Sequence, residues 1–281
     1  MRQLISILFA CALFGNSFAD SGDEKYKPMV GQHGKDVIWV PTPDEMVTAM
    51  LKAARVTAND LVYDLGAGDG KIAIAAAREF GATAVGIEYD PDMAELARRN
   101  ATRAGVSAKV QIIRGDIFKE DFSKATVVTM YLLPELNVKL KPILQAMPPG
   151  TRIVSHSFDM GTWEPDQRIE TSVASGFLWI IPAQVDGSWL IRVPGEEQAA
   201  KLELKQSHQK LSGQLTIKGQ TVPVQAGRMD GKNMYFQVEL AKATRLYFET
   251  RVDGDQLSGR IVQTDLKPLS ISGSRPAKKR S

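Results

Sequence analysis

An aspartate and three glycines at alternate positions, Asp64-Leu65-Gly66-Ala67-Gly68-Asp69-Gly70, lie between a short apolar strand (Leu61-Val62-Tyr63) and a helical run. Residues of these types at this spacing suit a nucleotide-type ligand. Glycine at 66, 68 and 70 allows positive φ and close backbone approach, so peptide N–H groups can face the ligand at little steric cost. Two more acids follow expected strands: Glu88 after Thr83 to Ile87, placed to accept from both hydroxyls of a ribose, and Asp116 after Lys109 to Ile113. Each acid alone also reads as a solvated strand end, but three acids after three consecutive strands read as a site. The dinucleotide fingerprint G-x-G-x-x-G puts its third glycine where this chain has Lys71, which argues against a hydride-transfer cofactor.

The elements that must hold these residues are legible in the periodicity. Ile72, Ala75, Ala76 and Phe80 mark one face of a helix after the glycines, and Asp90-Pro91 opens another that carries Ala94, Ala97, Ala101 and Ala104 and stops at Gly105. Upstream, Thr42 reads as an N-cap with Pro43 in the first turn and Glu45 completing a capping box, before a stripe of Met46, Val47, Met50, Leu51 and Ala54. Downstream come a strand at Ala125 to Tyr131, a helix around Pro142 to Ala146 and a strand at Thr151 to Ser155. Phe177 to Ile181 and Ser188 to Val193 read as an antiparallel closing pair. Such βαβαβ alternation predicts an α/β fold with a Rossmann-like doubly wound sheet and ligands at the carboxyl ends of its strands. Past Gly195 the helical period vanishes, and seven short strands between Ala200 and Ser272 predict a small antiparallel β-rich domain, a meander or partial barrel. Leu211-Ser212-Gly213 echoes Leu257-Ser258-Gly259 within it.

The D-x-G-x-G-x-G spacing resembles the first motif of the class I, seven-strand S-adenosylmethionine-dependent methyltransferases. The match narrows with Val40-Pro41-Thr42-Pro43, with Tyr131-Leu132-Leu133-Pro134-Glu135, and with Ser155-His156-Ser157-Phe158 followed by Trp163. Together these resemble bacterial relatives of the mitochondrial lysine methyltransferases of the ADP/ATP translocase and the ATP synthase c-subunit, over roughly Trp39 to Val193. The resemblance implies S-adenosyl-L-methionine as cofactor, held by Thr42, Asp64, Gly66, Gly68, Gly70, Glu88, Asp116 and Ile117. Asp116 would meet the adenine amino group. Thr42 would reach the methionine carboxylate, or act as a cap only. Tyr131 and Glu135 would face the transferred methyl group as the catalytic pair, with His156 and Asp159 as further candidates that read more readily as structural strand-end residues. Protein lysine is the implied acceptor, against a small-molecule acceptor or a non-catalytic ligand-binding envelope protein as alternatives.

A formal charge of +3 over 281 residues points to no nucleic-acid partner. With Cys11 the single cysteine and His33, His156 and His208 far apart, neither a disulfide nor a zinc site is expected. Arg2, the apolar run Leu4 to Phe14 and the small-x-small signal Ser17-Phe18-Ala19 read as a signal peptide over 1–19. The expectation is an exported, periplasmic protein without a stable membrane span after cleavage, the alternative being an uncleaved anchor. The predicted organisation continues with a flexible lead-in (20–36), the methyltransferase domain (37–195), the β-rich domain (196–274) and a basic tail (275–281).

Overall fold

The computed structural model of the chain describes residues 25–240, 244–263 and 266–276. The expected signal peptide and residues 277–281 of the basic tail lie outside the described residues. Two sheets organise the rest. The first has seven strands: β1 (Leu61–Leu65), β2 (Thr83–Glu88), β3 (Val110–Arg114), β4 (Val127–Met130), β5 (Arg152–His156), β6 (Gln167–Glu170) and β7 (Ser175–Ile180), in the order β3-β2-β1-β4-β5-β7-β6. Strands β1 to β5 pair in parallel, and β7 and β6 close the sheet antiparallel.

Helices cover both faces. Buried residues of α1 (Asp44–Ala53), α2 (Lys71–Phe80) and α3 (Pro91–Arg103) form one apolar cluster with Val62, Val127 and Val154. Leu140 and Leu144 of α4 (Pro134–Gln145) join Leu65, Val128 and Ile153 in the other, with Trp163 and Trp179. Of the face expected on α2, Ile72, Ala75 and Ala76 are buried, and Ala73 and Ala77 are buried beside them. Helix α3 is capped as its sequence predicts, with the Asp90 carboxylate accepting from the N–H groups of Asp92 and Met93.

Several expectations need correction. The capping box does not form. Helix α1 begins after Pro43 with no side-chain cap, the Thr42 hydroxyl pairs with His156 at 3.2 Å, and the Glu45 carboxylate takes the Ser172 hydroxyl and N–H instead. Helix α4 starts at Pro134, a residue suited to a first turn, and runs through Pro142. The expected flexible lead-in is partly ordered. Gly31 N–H donates to the Trp39 carbonyl and Trp39 N–H to that of Gln32, across a turn closed by Gly34 N–H to Val37 C=O at 2.8 Å.

The closing pair is β6 with β7, whereas the segment at 188–193 is β8 (Gly187–Arg192) of the second sheet. Burial explains this. Gly176 to Trp179 of β7 are buried on both faces, as an internal strand requires, while in β8 only Trp189 and Ile191 are buried and Leu190 and Arg192 are exposed. Strand β6 has Ile169 as its one apolar residue, so the pattern gave no strand signal there.

The second sheet comprises β8, β9 (Ala200–Ser207), β10 (Lys210–Ile217), β11 (Gln220–Pro223), β12 (Gln225–Asp230), β13 (Asn233–Leu240), β14 (Thr244–Asp253), β15 (Gln256–Val262) and β16 (Leu269–Ser274). Because β10 pairs with both β9 and β12, and β16 returns to β8, eight strands close a full antiparallel barrel with β11 as a flap on β10. Its interior is filled by side chains such as Trp189, Leu202, Met234 and the stacked Phe236 and Phe248, as eight strands allow. The Leu-Ser-Gly echo has a steric cause. A Cβ on Gly213 would lie 1.9 Å from the Glu203 carbonyl oxygen, and one on Gly259 2.1 Å from that of Glu249.

The barrel docks at the amino ends of the parallel strands. Gly231 packs on Gly150, just before β5, His208 meets Gln145 at the end of α4 at 3.1 Å, and Gln209 accepts from the Trp163 indole N–H at 2.9 Å.

Candidate active site

At the opposite, carboxyl ends of these strands lies a cavity of about 250 Å³. Thr42, Asp64, Gly66, Gly68, Glu88, Asp116, Ile117 and Tyr131 all line it, although they come from distant parts of the sequence. The parallel order makes this possible: β1, β2, β3 and β4 end side by side, each delivering one of Asp64, Glu88, Asp116 and Tyr131.

The glycine loop is held from behind. The N–H groups of Gly66 and Ala67 donate to the Ile87 carbonyl, and that of Gly68 to the Glu88 carboxylate at 2.8 Å. Gly66 and Gly68 sit at φ +77° and +56°, and a Cβ on either would strike Leu132 or the Trp39 indole. Gly70 serves differently from the expectation. It does not line the cavity but brings α2 against Ala97 of α3, where an added Cβ would come within 3.0 Å.

Glu88 keeps one oxygen on Gly68 N–H and the other on Asp90 N–H, leaving lone pairs on both for two adjacent hydroxyls. Burial raises its pKa above the ordinary carboxylate value, and raises that of Asp69 likewise. Asp64 is buried beneath the loop, accepts from the Thr129 hydroxyl at 2.7 Å, and is pushed by burial up to about 7. Asp116 differs. The Phe118 N–H and then the Lys35 ammonium, at 3.0 Å, hold its carboxyl below the usual range. Lys35 lies on the ordered turn before Trp39, with its ammonium 4.7 Å from the centre of the Tyr89 ring.

The wall after β4 is apolar: Tyr131, Leu132, Leu133, Leu136 and Phe158. The Tyr131 ring lies 3.8 Å from that of His156 and 6.3 Å from that of Phe158. His156 is 3% exposed and pushed down to about 4 by burial, so it is neutral at pH 7 and supports Tyr131 and Thr42 from behind. Glu135 is not brought to the site: it sits exposed in the first turn of α4 and does not line the cavity. Asp159 also lies outside it, accepting from Gly161 N–H. The lining residues left unassigned from sequence include Lys35, Trp39, Asp69 and Lys71. The aromatic residue just before Val40-Pro41-Thr42 and the cation in the third-glycine slot were the available signals.

Among the described residues no group of His, Cys, Asp and Glu could hold a metal ion. A glycine cradle that a Cβ would fill, a carboxylate with lone pairs for a vicinal diol, and an acid beyond it for an amine fit an adenosyl group. The acids Asp64 and Asp69, at and just past the end of β1, suit a cationic amino-acid moiety. This fold and site define an S-adenosylmethionine-dependent methyltransferase.

Comparison with known proteins agrees. The model of the ANTKMT methyltransferase domain matches residues 64–167, all within the seven-stranded part. A protein-lysine N-methyltransferase of Saccharolobus islandicus is 45% identical over 136 residues, covering 48% of this chain and 84% of that protein. The adenine nucleotide translocase lysine N-methyltransferase of Mus musculus is 41% identical over 37% of this chain and 46% of its own length. The human lysine N-methyltransferase of the ATP synthase c-subunit is 32% identical over 46% and 54%, so the chain spans about half of each mammalian relative. A crystal structure of an RNA methyltransferase from Salinibacter ruber with S-adenosyl-L-homocysteine is 51% identical, with a TM-score of 0.51 over 52% of this chain and 96% of that one. The chain belongs to the ANTKMT methyltransferase family.

Proposed function

We propose that this methyltransferase acts on lysine side chains of proteins. The observation that carries this reading is the wall of Tyr131, Leu132, Leu133, Leu136 and Phe158 beside the cofactor end of β4. Lysine must arrive as the neutral amine, which at pH 7 costs about 4–5 kcal/mol from an ordinary pKa of about 10.4. An apolar channel lowers that cost by disfavouring the ammonium ion. When bound, S-adenosylmethionine supplies an electrophilic methyl on a sulfonium. The chain's part is to orient the amine on Tyr131, exclude water with Leu133 and Phe158, and leave the proton to solvent. No carboxylate stands in this wall to hold the amine protonated.

The name of the Saccharolobus relative supports the same acceptor. The Salinibacter structure is described as an RNA methyltransferase, but the pairing of the cavity lysines here favours protein lysine over RNA as acceptor. Lys35 and Lys71, the lysines lining the cavity, are paired with Asp116 and Asp44, and the chain's net charge is +3. We also propose that residues 1–19 direct export. Among the described residues no helix is long and apolar enough to cross a membrane.

The test incubates residues 20–281 with methyl-labelled donor and, separately, envelope proteins, RNA and a small-molecule extract, with fractionation locating the native chain. Label recovered as methyl-lysine after hydrolysis is the expected result. Label confined to RNA or small molecules overturns the lysine reading, and donor binding without transfer to any fraction favours a binding module.

A further inference from the structure

The strand order lays out the donor piece by piece. Asp116 follows β3, Glu88 ends β2 and Asp64 lies at the end of β1, so with adenine at Asp116 and ribose at Glu88 the amino-acid end of the donor falls at β1. That end is acidic. Asp64 and Asp69 match the α-ammonium and the sulfonium, and burial opposes the charge on both, an effect that a cation beside them offsets. The α-carboxylate of the same moiety needs a partner of opposite sign.

Among the described residues two lysines line the cavity, and they lie at opposite ends. Lys35 is held at Asp116, the adenine end, at 3.0 Å. Lys71 opens α2, directly after the glycine loop, and its ammonium donates to the Thr42 carbonyl at 3.1 Å and pairs with Asp44 at 3.0 Å. An ammonium has three N–H donors, so two partners leave one for a ligand. The Asp44 side chain is 86% exposed, and solvent weakens its hold on Lys71. Lys71's own backbone N–H is committed to Asp69 at 3.2 Å, so the side chain is the group that can answer the carboxylate.

We infer that Lys71 binds the α-carboxylate of the methyl donor and so makes the site specific for an intact amino-acid moiety. This rests on the cofactor assignment, and the test separates the two. Calorimetry compares S-adenosylmethionine with decarboxylated S-adenosylmethionine, which keeps the sulfonium, the amine and the adenosyl group. Wild-type protein is expected to bind the intact donor more tightly. Lys71→Gln should weaken the intact donor by about tenfold and leave the decarboxylated one unchanged, the usual scale of a charge-assisted bond, and Lys71→Arg should restore most of the loss. Unchanged affinity for the intact donor, or an equal loss for both donors, overturns the inference. If Lys71→Gln does not fold, Asp44→Asn serves, because freeing Lys71 should tighten the intact donor selectively, and equal or no effect on the two donors again refutes it. Wild-type protein that binds neither donor would instead refute the cofactor assignment.

Discussion

Asp64 shows how this site trades stability for binding. Its carboxyl is buried and accepts from the Thr129 hydroxyl, and burial carries it up to about 7. The ordinary carboxyl titrates near 3.8, so between about pH 4 and 7 the folded chain binds more protons than the unfolded one. Stability therefore falls as pH rises through that window, and the penalty is complete above about 7. Asp64→Asn keeps the acceptor for Thr129 and removes the charge. At pH 8 it should stabilise the donor-free protein by on the order of 2–4 kcal/mol in urea titrations and have little effect at pH 4. The same variant should lose donor affinity, because a cationic ligand is what offsets the buried charge. For the wild type, affinity should rise from pH 6 to 8 as Asp64 ionises. Glu88→Ala should cost about 1–3 kcal/mol of donor affinity by calorimetry, the loss of hydrogen bonds to a charged partner.

At the scale of elements, one ion pair pins the sheet to what precedes it. Arg152, at the start of β5, donates to Asp60 and to the carbonyls of Ala54 and Arg55 after α1, and Asp60 also accepts from the Thr126 hydroxyl at 2.7 Å. Burial opposes the Asp60 charge, but Arg152, Thr126 and the Thr57 N–H together hold its pKa below the ordinary value. That contribution is present above about pH 4 and is lost as pH falls through the folded pKa. Arg152→Ala should cost about 3 kcal/mol at pH 7, since Asp60 is left buried and unpaired, and should flatten the acid limb of the stability curve. Asp60→Asn in the same background should recover part of the loss. Donor affinity should change little, because this cluster lies at the amino ends of the strands, away from the cavity.

For the whole molecule, the decisive fact is that the barrel starts at β8 and docks on the face opposite the cavity. A fragment ending near residue 182 keeps all seven strands of the first sheet and every lining residue. It should bind donor within about threefold of the intact chain by calorimetry, the margin expected when no ligand contact is removed. A fragment ending at 195 carries β8 without its neighbours, so Trp189 and Ile191, both 0% exposed in the barrel, would meet water. It should aggregate in light scattering where the shorter fragment does not. Equal solubility of the two, or loss of donor binding in the shorter one, would count against this division.

Local chemistry made much of this legible in advance. The strand, glycine loop and helix from Leu61 to Phe80 and the acids Glu88 and Asp116 follow from periodicity and φ requirements that neighbours in sequence impose. The Leu-Ser-Gly echo was visible too, although its cause, a carbonyl within 2.1 Å of a would-be Cβ, needs the partner strand. Other features depend on residues far apart in the chain. Thr42 has the composition of a cap yet bonds His156, 114 positions away, and Glu135 has the right spacing but leaves the cavity because α4 starts one residue earlier. Lys35 reaches Asp116 across 81 positions, and a polar, glycine-bearing lead-in gives no sign of it. Whether Ser188 to Val193 closes the first sheet or opens the barrel turns on which face is buried, and burial is set only when the two sheets have formed. Spacing along the chain determines which groups are available, and packing between distant segments decides which of them meet.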